Sequence, residues 1–246
     1  NVVIYVNSGL RADHLGAYGY GRETSPRFDR LTADGTLFEW AFSNGTATLN
    51  SIPGLFSSNP GASTGVRRRG DVLPGAFPTI AEVLRAMGYV TAAFTSDRNT
   101  GIYSGTNQGF SSIITPQRIA REAGGTTGTK SVDAADAQFV VGGLMEGWLE
   151  NNADRNFFLY VQTADCRGPY DPPEPYRRFY EKTESETPVR RDPAYDPEWV
   201  GTPTRASRIG LYDGEIAYGD EYLGRFIEML EEHGALENTR ERASRC

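Results

Sequence analysis

The fold is decided by the first residues of the chain, Asn1-Val2-Val3-Ile4-Tyr5-Val6. A continuous β-branched and aromatic run, rather than an alternating one, is typical of a strand that is buried on both faces. Two more strands are predicted at residues 89–96 and 156–163, and helical patterns separate the three. Strands joined by crossover helices predict a mainly parallel sheet with helices on both faces, a three-layer α/β/α fold.

Four helices are predicted from the spacing of apolar residues and from end signals. Ser25-Pro26 begins the first, because serine is a good N-cap and proline is favoured at the first helical position. Gly35 ends this helix, and the other three are predicted over residues 78–87, 131–151 and 208–233. Frequent prolines over residues 168–207 predict a surface excursion that roofs a site. We expect the chain, residues 1–246, to be one α/β domain.

Composition restricts the class of protein. The chain has 246 residues, of which 38% are hydrophobic and 23% charged, values typical of a soluble globular protein. The net charge of −7 argues against a nucleic-acid partner. The longest apolar runs are far shorter than the about 20 residues of a membrane span, so we expect no membrane partner. The two cysteines leave the compartment open, with the cytoplasm favoured.

The basic residues are almost all arginine, since Lys130 and Lys182 are the only lysines among 25. A guanidinium group binds sulfate, phosphate or carboxylate in a bidentate manner better than an ammonium group does. A GC-rich coding bias explains the same composition. Composition leaves both explanations open.

Several common catalytic motifs are missing from the sequence. It contains no Gly-x-Ser-x-Gly nucleophile motif, no phosphate-binding loop and no dinucleotide-binding glycine pattern after the first strand. The only histidines are His14 and His233, too few for a histidine-rich metal cluster.

Polar side chains follow each of the three predicted strands. They are Asn7-Ser8, Ser96-Asp97-Arg98 and Asp165-Cys166-Arg167. Because ligands of parallel α/β sheets bind at the carboxyl ends of the strands, these residues predict a binding site there.

One segment, NSGLRADHLGAYGY at residues 7–20, resembles the opening of the sulfatase family within the alkaline phosphatase superfamily. Further pieces similar to the family follow in the same order. They are GRETSP (21–26), GTLF (35–38), YVTAAF (89–94), GF (109–110), FFLY (157–160), GPYDPP (168–173) and YDGEI (212–216). The resemblance implies an alkaline-phosphatase-like fold that lacks the C-terminal part of the family.

The resemblance also implies an activity and a cofactor. Members of the family are metal-dependent hydrolases of sulfate or phosphate monoesters, so a small anionic ester or a sulfated sugar is the expected partner. The implied cofactor is a divalent cation, Ca²⁺ or Mg²⁺. Two alternatives stay open: a non-catalytic protein that binds an anion or sulfated ligand, and a phosphodiesterase or phosphotransferase of the same superfamily.

The nucleophile position of the family falls on Thr48 in the segment Thr48-Leu49-Asn50-Ser51. Threonine cannot be converted to formylglycine, so we expect none here. Thr46 and Ser51 are alternative positions in a shifted register, and an N-cap of a following helix is an alternative role for Thr48. A family histidine that contacts the ester falls on Arg167, which we assign to the catalytic set because arginine binds oxyanions.

The metal aspartate of the family falls on Asn7, with Gly9 as an apparent one-residue insertion. The resemblance assigns Asn7, Ser8 and Asp97 to the metal, although an ordinary loop residue is an alternative interpretation of Asp97. Asparagine offers a neutral oxygen and therefore weakens the site for a hard dication.

Three residues are assigned to substrate binding. They are Arg11, Arg98 and Ser51. We expect the neighbouring residues Asp13 and His14, which match the family, to organise the loop rather than to bind metal.

The last residues differ most from the family. Where the family has an apolar strand that ends in Asp-His-Gly, this chain has Arg240-Glu241-Arg242-Ala243-Ser244-Arg245-Cys246. This tail is too polar for a central strand, and it supplies no Asp-His pair. We therefore expect a truncated or degenerate family member, a pseudoenzyme of low or no activity.

Overall fold

The structure of the protein is a computed structural model that describes residues 1–97, 99–115, 118, 134–177, 205–236 and 240–245. Its strands form one sheet in the order β3-β2-β4-β1-β5. They are β1 (Val2–Asn7), β2 (Val90–Thr95), β3 (Ser112–Ile114), β4 (Phe157–Thr163) and β5 (Arg240–Arg245). Every neighbouring pair is parallel, which confirms the predicted sheet.

The described helices include all four that the sequence predicts. They are α1 (Pro26–Asp34), α2 (Thr48–Ser57), α3 (Gly61–Thr64), α4 (Ile80–Ala86), α5 (Ala134–Leu149) and α6 (Arg205–Glu232). Glu82 caps α4 together with Thr79, whose hydroxyl accepts the Glu82 N–H at 3.2 Å while the Glu82 carboxylate accepts the Thr79 N–H at 2.9 Å. No helix of the described residues combines the length and apolar composition that crossing a membrane requires.

Helices cover both faces of the sheet. On one face, Ile52 and Phe56 of α2 belong to an apolar cluster with Val6 of β1 and Tyr160 of β4. On the other, Trp148 of α5 packs edge-to-face against a phenylalanine of β2 and one of β4. The buried faces on both sides explain why β1 and β4 are continuous apolar runs, and they confirm the three-layer α/β/α architecture.

The polar tail forms a strand at the edge of the described sheet rather than a central one. Residues Arg240–Arg245 pair in parallel with β1, with Arg245 opposite Asn7, so that β5 lies at the edge of the described sheet. The polar side chains of the tail argue against a central strand, which is buried on both faces. They do not prevent pairing with β1, because pairing uses backbone N–H and C=O groups. A charged strand is tolerated at an edge, where one side of its ladder remains open.

The chain divides into two compact units. The first comprises residues 1–8, 40–163 and 226–246 and contains the whole sheet. The second comprises residues 9–39 and 164–225 and contains α1 and most of α6. One domain over residues 1–246 remains a prediction. The surface excursion over residues 168–207 that would roof a site also remains a prediction, because residues 178–204 lie outside the described ones.

Within the second unit, α1 is capped by a residue distant in sequence. Ser25 occupies the predicted N-cap position, but its side chain makes no cap hydrogen bond. The carboxylate of Asp220 on α6 instead accepts the backbone N–H groups of Arg27 and Phe28, both at 2.9 Å. The start of α1 is therefore fixed to α6 by tertiary contacts, which the local sequence does not show.

Candidate functional site

The carboxyl end of the sheet, in the first unit, brings together polar residues from β1 and β4. Asn7 lies opposite Thr163, and the Ser8 N–H donates to the Thr163 carbonyl at 3.0 Å. Among the described residues, Asn7 Oδ1 and Thr163 Oγ1 have no hydrogen-bond partner although both side chains are buried. A buried polar atom without a partner costs about 1–3 kcal/mol, which makes this edge a place for a bound polar group.

Gln162 joins three strands at the same end of the sheet. Its Nε2 donates to Ser8 Oγ at 2.9 Å. Its Oε1 accepts hydroxyl donors from Thr95 at 3.2 Å, Thr100 at 2.6 Å and Tyr160 at 3.1 Å. Gln162 is 2% exposed, so this network holds Ser8 and the end of β2 in a fixed, water-excluded arrangement.

Strand alternation separates the polar residues of this edge. Gln162 has the same parity along β4 as Tyr160, which belongs to the apolar cluster on the α2 face. Asn7 and Thr163 have the opposite parity and lie on the opposite face. The structure therefore places Ser8 with Gln162 on the α2 face, and Asn7 with Thr163 on the other.

Asp97 forms a local turn after β2. Its Oδ1 accepts the backbone N–H of Asn99 at 2.8 Å and the Asn99 side-chain amide at 2.9 Å. Its own N–H donates to Thr95 Oγ1 at 3.0 Å. Such contacts are typical of an aspartate that shapes a loop, which supports the loop role left open for Asp97. Arg98 lies outside the described residues.

The start of α2 carries two buried residues with a hydroxyl group, Thr48 and Ser51. Thr48 is the first residue of the helix and Ala47 is the N-cap, so the alternative role of Thr48 as N-cap is wrong. Ser51 is 3% exposed, and its Oγ has no partner among the described residues, whereas Thr46 is exposed. Because the N–H groups at a helix start favour anions, a buried hydroxyl there suits an anionic ester.

The residues assigned to a divalent cation do not fit one. Ser8 Oγ is occupied by Gln162, Asp97 Oδ1 accepts from Asn99, and Asn7 contributes only a neutral oxygen. Within the described ranges, no three His, Cys, Asp or Glu side chains are grouped to hold a metal. Ca²⁺ and Mg²⁺ prefer several acidic oxygens, which these residues do not supply.

In the second unit, the Arg11 side chain is occupied by Asp13. The two form a bidentate pair at 2.9 and 2.6 Å, and both are well exposed. Hydrogen bonding to Arg11 lowers the pKa of Asp13, and the same bond raises that of Arg11. The Arg11 backbone is held as well, since its N–H donates to the Tyr212 hydroxyl at 2.8 Å. Arg11 is thus available to a substrate only in competition with Asp13.

Arg167 lies in a loop that Gly9 approaches closely. Its side chain is exposed, and its N–H donates to the Ala164 carbonyl at 3.2 Å. Gly9 has φ +87°, and a Cβ there would lie 2.5 Å from the Cys166 carbonyl oxygen. Only glycine fits this contact without strain, so the apparent insertion at Gly9 has a structural purpose.

The second unit also contains a buried carboxylate that organises the loop of residues 9–22. Asp213 is 0% exposed and lies 2.7 Å from His14 Nδ1. It accepts the Tyr20 hydroxyl at 2.7 Å and the Arg22 guanidinium at 2.6 Å. These contacts agree with the prediction that His14 organises the loop.

Glu215 on α6 was not predicted from the sequence. Its Oε1 accepts the Asp171 N–H at 2.7 Å, and its Oε2 is buried with no partner among the described residues. Burial raises the pKa of this carboxyl to about 8. The family-like segment YDGEI contains Glu215 and was the available signal, but the local sequence does not show its burial, which depends on the segment that packs over it.

Comparisons with known proteins place the chain in a family. The model of the Sulfatase family matches residues 1–240. Kdo(2)-lipid A phosphoethanolamine 7''-transferase of Escherichia coli (strain K12) is 23% identical over 239 residues, which cover 96% of this chain and 37% of the relative.

Solved structures show the same fold. The phosphonate monoester hydrolase of Agrobacterium radiobacter matches with a TM-score of 0.78 and 20% identity, over 100% of this chain and 62% of that one. A 2-O GAG sulfatase matches with a TM-score of 0.72 and 16% identity, over 100% and 57%. This chain thus spans only part of the relatives that it matches. Since the family model covers nearly all of its residues, the chain belongs to the sulfatase family.

Proposed function

We propose that this chain forms part of a protein that acts on sulfate or phosphate monoesters, with Thr48 as the nucleophile. The observation that carries the proposal lies at the start of α2, where Thr48 is the first residue and the buried Ser51 Oγ has no partner among the described residues. A helix start offers N–H groups to the anionic oxygens of an ester, and Ser51 adds a donor.

The chemistry is a group transfer to a hydroxyl. Thr48 Oγ1 bonds to the sulfur or phosphorus as the bond to the ester oxygen breaks, and the Thr48 proton leaves on the released alcohol. Water then cleaves the esterified threonine to give inorganic sulfate or phosphate. Ser51 and the N–H groups of the first turn of α2 hold the charge that grows on the non-bridging oxygens.

The substrate class follows from the relatives by similarity. Those matched above include a phosphonate monoester hydrolase and a GAG sulfatase, which supports a small anionic ester or a sulfated sugar. Arg11 and Arg167, in the second unit, are kept as proposed oxyanion-binding residues, since both carry guanidinium groups at exposed positions.

Turnover of aryl sulfate and aryl phosphate esters tests the proposal. We expect Thr48→Ala to abolish the activity and Ser51→Ala to lower kcat by about tenfold or more, as for other oxyanion donors. The matched control is Ser63→Ala, which removes an exposed hydroxyl in α3, and loss of activity in Thr46→Ala instead would move the nucleophile to Thr46. Turnover that survives Thr48→Ala would show that Thr48 is not the nucleophile. Phosphate turnover above sulfate turnover would indicate a phosphodiesterase or phosphotransferase, as the transferase relative suggests.

A second candidate is a non-catalytic protein that binds an anion or sulfated ligand. It is favoured because few acidic side chains lie at the carboxyl end of the described sheet, so that the described residues do not supply the metal site on which the family's hydrolysis depends. Calorimetry with sulfate and phosphate distinguishes the two functions: binding without turnover supports this candidate, and an absence of binding contradicts it.

A further inference from the structure

A cleft of about 630 Å³ in the first unit is lined almost entirely by charged residues. They are Arg67, Arg68, Arg69 and Asp71, with Gly65 at one side. All three arginines are exposed. Three cations against one carboxylate give this turn a positive charge, although the whole chain has a net charge of −7.

The backbone of the turn already binds a carboxylate. Asp71 Oδ2 accepts the N–H groups of Arg67 and Arg68, both at 2.8 Å. These bonds lower the pKa of Asp71. They also fix the conformation of the turn, so that the three consecutive guanidinium groups start from an ordered backbone.

The cleft follows α3 in the chain, and α3 lies close to the first turn of α2. A Cβ on Gly61, the first residue of α3, would lie 3.3 Å from the carbonyl oxygen of Asn50, in the turn that carries Thr48 and Ser51. Arg67 Nη2 donates to the carbonyl of Ala62, the second residue of α3, at 3.3 Å. These two approaches link the arginine cleft through α3 to the first turn of α2, which begins at Thr48.

Exposed side chains with apolar surface lie on the segment that follows the cleft and on the segment beside it. Val72 follows Asp71 and is 53% exposed, and Tyr103 is 70% exposed. The Leu73 N–H donates to the Ser104 carbonyl at 2.9 Å, which holds the segments of Val72 and Tyr103 side by side. An exposed aromatic side chain on the segment beside the arginine turn suits a sugar ring that carries an anionic group.

We propose that Arg67, Arg68 and Arg69 form a subsite for a second sulfate or phosphate group of the substrate, which is therefore a multiply anionic sugar ester. The inference rests on the proposed function, because it takes the ester that is cleaved to lie at Thr48. A cleft lined by glycine, arginine and aspartate accommodates a discrete anion better than an acyl chain, which favours a sugar over a lipid.

Calorimetry with sucrose octasulfate, with sucrose as the uncharged control, tests the subsite without any turnover. The test variant replaces Arg67, Arg68 and Arg69 by glutamine. The control variant replaces Arg30, Arg85 and Arg155, which are also exposed, by glutamine, so that both lose the same charge. We expect the cleft variant to bind about tenfold more weakly or worse, and the control to stay within about threefold of the wild type.

Each other outcome decides against the subsite. An equal loss in both variants would show a general charge effect, and no binding by the wild type would remove the proposal outright. Binding of anionic phosphatidylglycerol vesicles, without binding of sucrose octasulfate, would assign the arginines to a lipid surface. The single variant Arg68→Gln, with a smaller loss expected, keeps the test valid if the triple variant unfolds.

The subsite and the proposed function fail separately. If sucrose octasulfate binds through the arginines and aryl esters are not turned over, the subsite stands and the assignment of Thr48 falls. If aryl esters are turned over and the cleft variant binds sucrose octasulfate like the wild type, the proposed function stands and the subsite falls.

Discussion

Glu215 shows at the scale of one residue how burial changes a carboxyl group. Its pKa is raised from 4.5 to about 8, chiefly because burial removes the carboxylate from water. Between these values the folded protein keeps a proton that the unfolded chain has lost. The free energy of unfolding therefore falls as the pH rises from 4.5 towards 8.

Glu215→Gln is expected to flatten this dependence. A neutral amide keeps the acceptor for the Asp171 N–H and never ionises, so the variant should be more stable than the wild type at pH 9, by on the order of 2–4 kcal/mol. Urea denaturation at pH 5 and pH 9 measures the difference. Glu232→Gln, at the exposed end of the same helix, is the control, and a wild-type slope in Glu215→Gln would contradict the assignment.

Asp213 makes the opposite case, a buried carboxylate whose partners are all present. Asp213→Ala leaves His14, Tyr20 and Arg22 without their common acceptor and should destabilise the protein by about 3–5 kcal/mol. The comparison is Asp13→Ala, which breaks an exposed pair with Arg11 and should cost less than about 1 kcal/mol. Thermal unfolding of both variants measures the two losses of stability. Equal losses would show that the Asp213 network contributes little.

At the scale of elements, two glycines have almost the same positive φ but different surroundings. Replacing each by alanine therefore distinguishes the cost of backbone strain from the cost of a steric collision. Gly19 has φ +87° and open space where a Cβ would lie, whereas Gly109 has φ +88° and a Cβ there would collide with the backbone of Ala81 and Glu82 in α4. Gly19→Ala should cost about 1 kcal/mol from backbone strain alone.

Gly109→Ala carries the same strain and the collision, so it should cost at least about 2 kcal/mol more. Chemical denaturation of the two variants gives the difference directly. Similar losses would mean that the turn before Phe110 moves away from α4 at little cost.

The elements themselves were mostly predictable from local patterns. The first strand, the α4–β2 unit and the long last helix follow from runs, spacing and caps that lie within each segment. β3 is only three residues long, too short for a pattern to show. α2 contains Pro53, which argues against a helix in the sequence but lies within its described span. β5 is charged throughout most of its length and forms through backbone pairing with β1.

At the scale of the whole molecule, the acid-poor site predicts a weak response to cations. Millimolar Ca²⁺ or Mg²⁺ should leave the Tm of this chain unchanged within about 1 °C, because a ligand stabilises only in proportion to its binding. Asn7→Asp supplies the acidic oxygen that this chain lacks at that position, and should make the Tm rise with added Ca²⁺. Asn152→Asp, away from the sheet edge, is the control. A clear rise in the wild type would show that Asn7 and its neighbours bind the ion.

The candidate site was predictable only in part. Asn7, Ser8 and Asp97 were named from their places after strands, and all three lie at the carboxyl end of the sheet as expected. The sequence could not show that Gln162 occupies Ser8, that Asn99 binds Asp97, or that strand alternation sends Asn7 and Ser8 to different faces. Such facts depend on which side chains meet across the sheet.

The family and the parallel sheet could be established from the sequence alone, because β-branched runs, caps and family segments act over a few neighbouring residues. Tertiary contacts set the burial of Glu215 and Asp213, the capping of α1 by Asp220 and the closeness of the arginine cleft to α2. These features depend on residues that are far apart in the chain and meet only in the folded protein. Their packing removes water from around each group, and this desolvation determines the charge and the partners of the group.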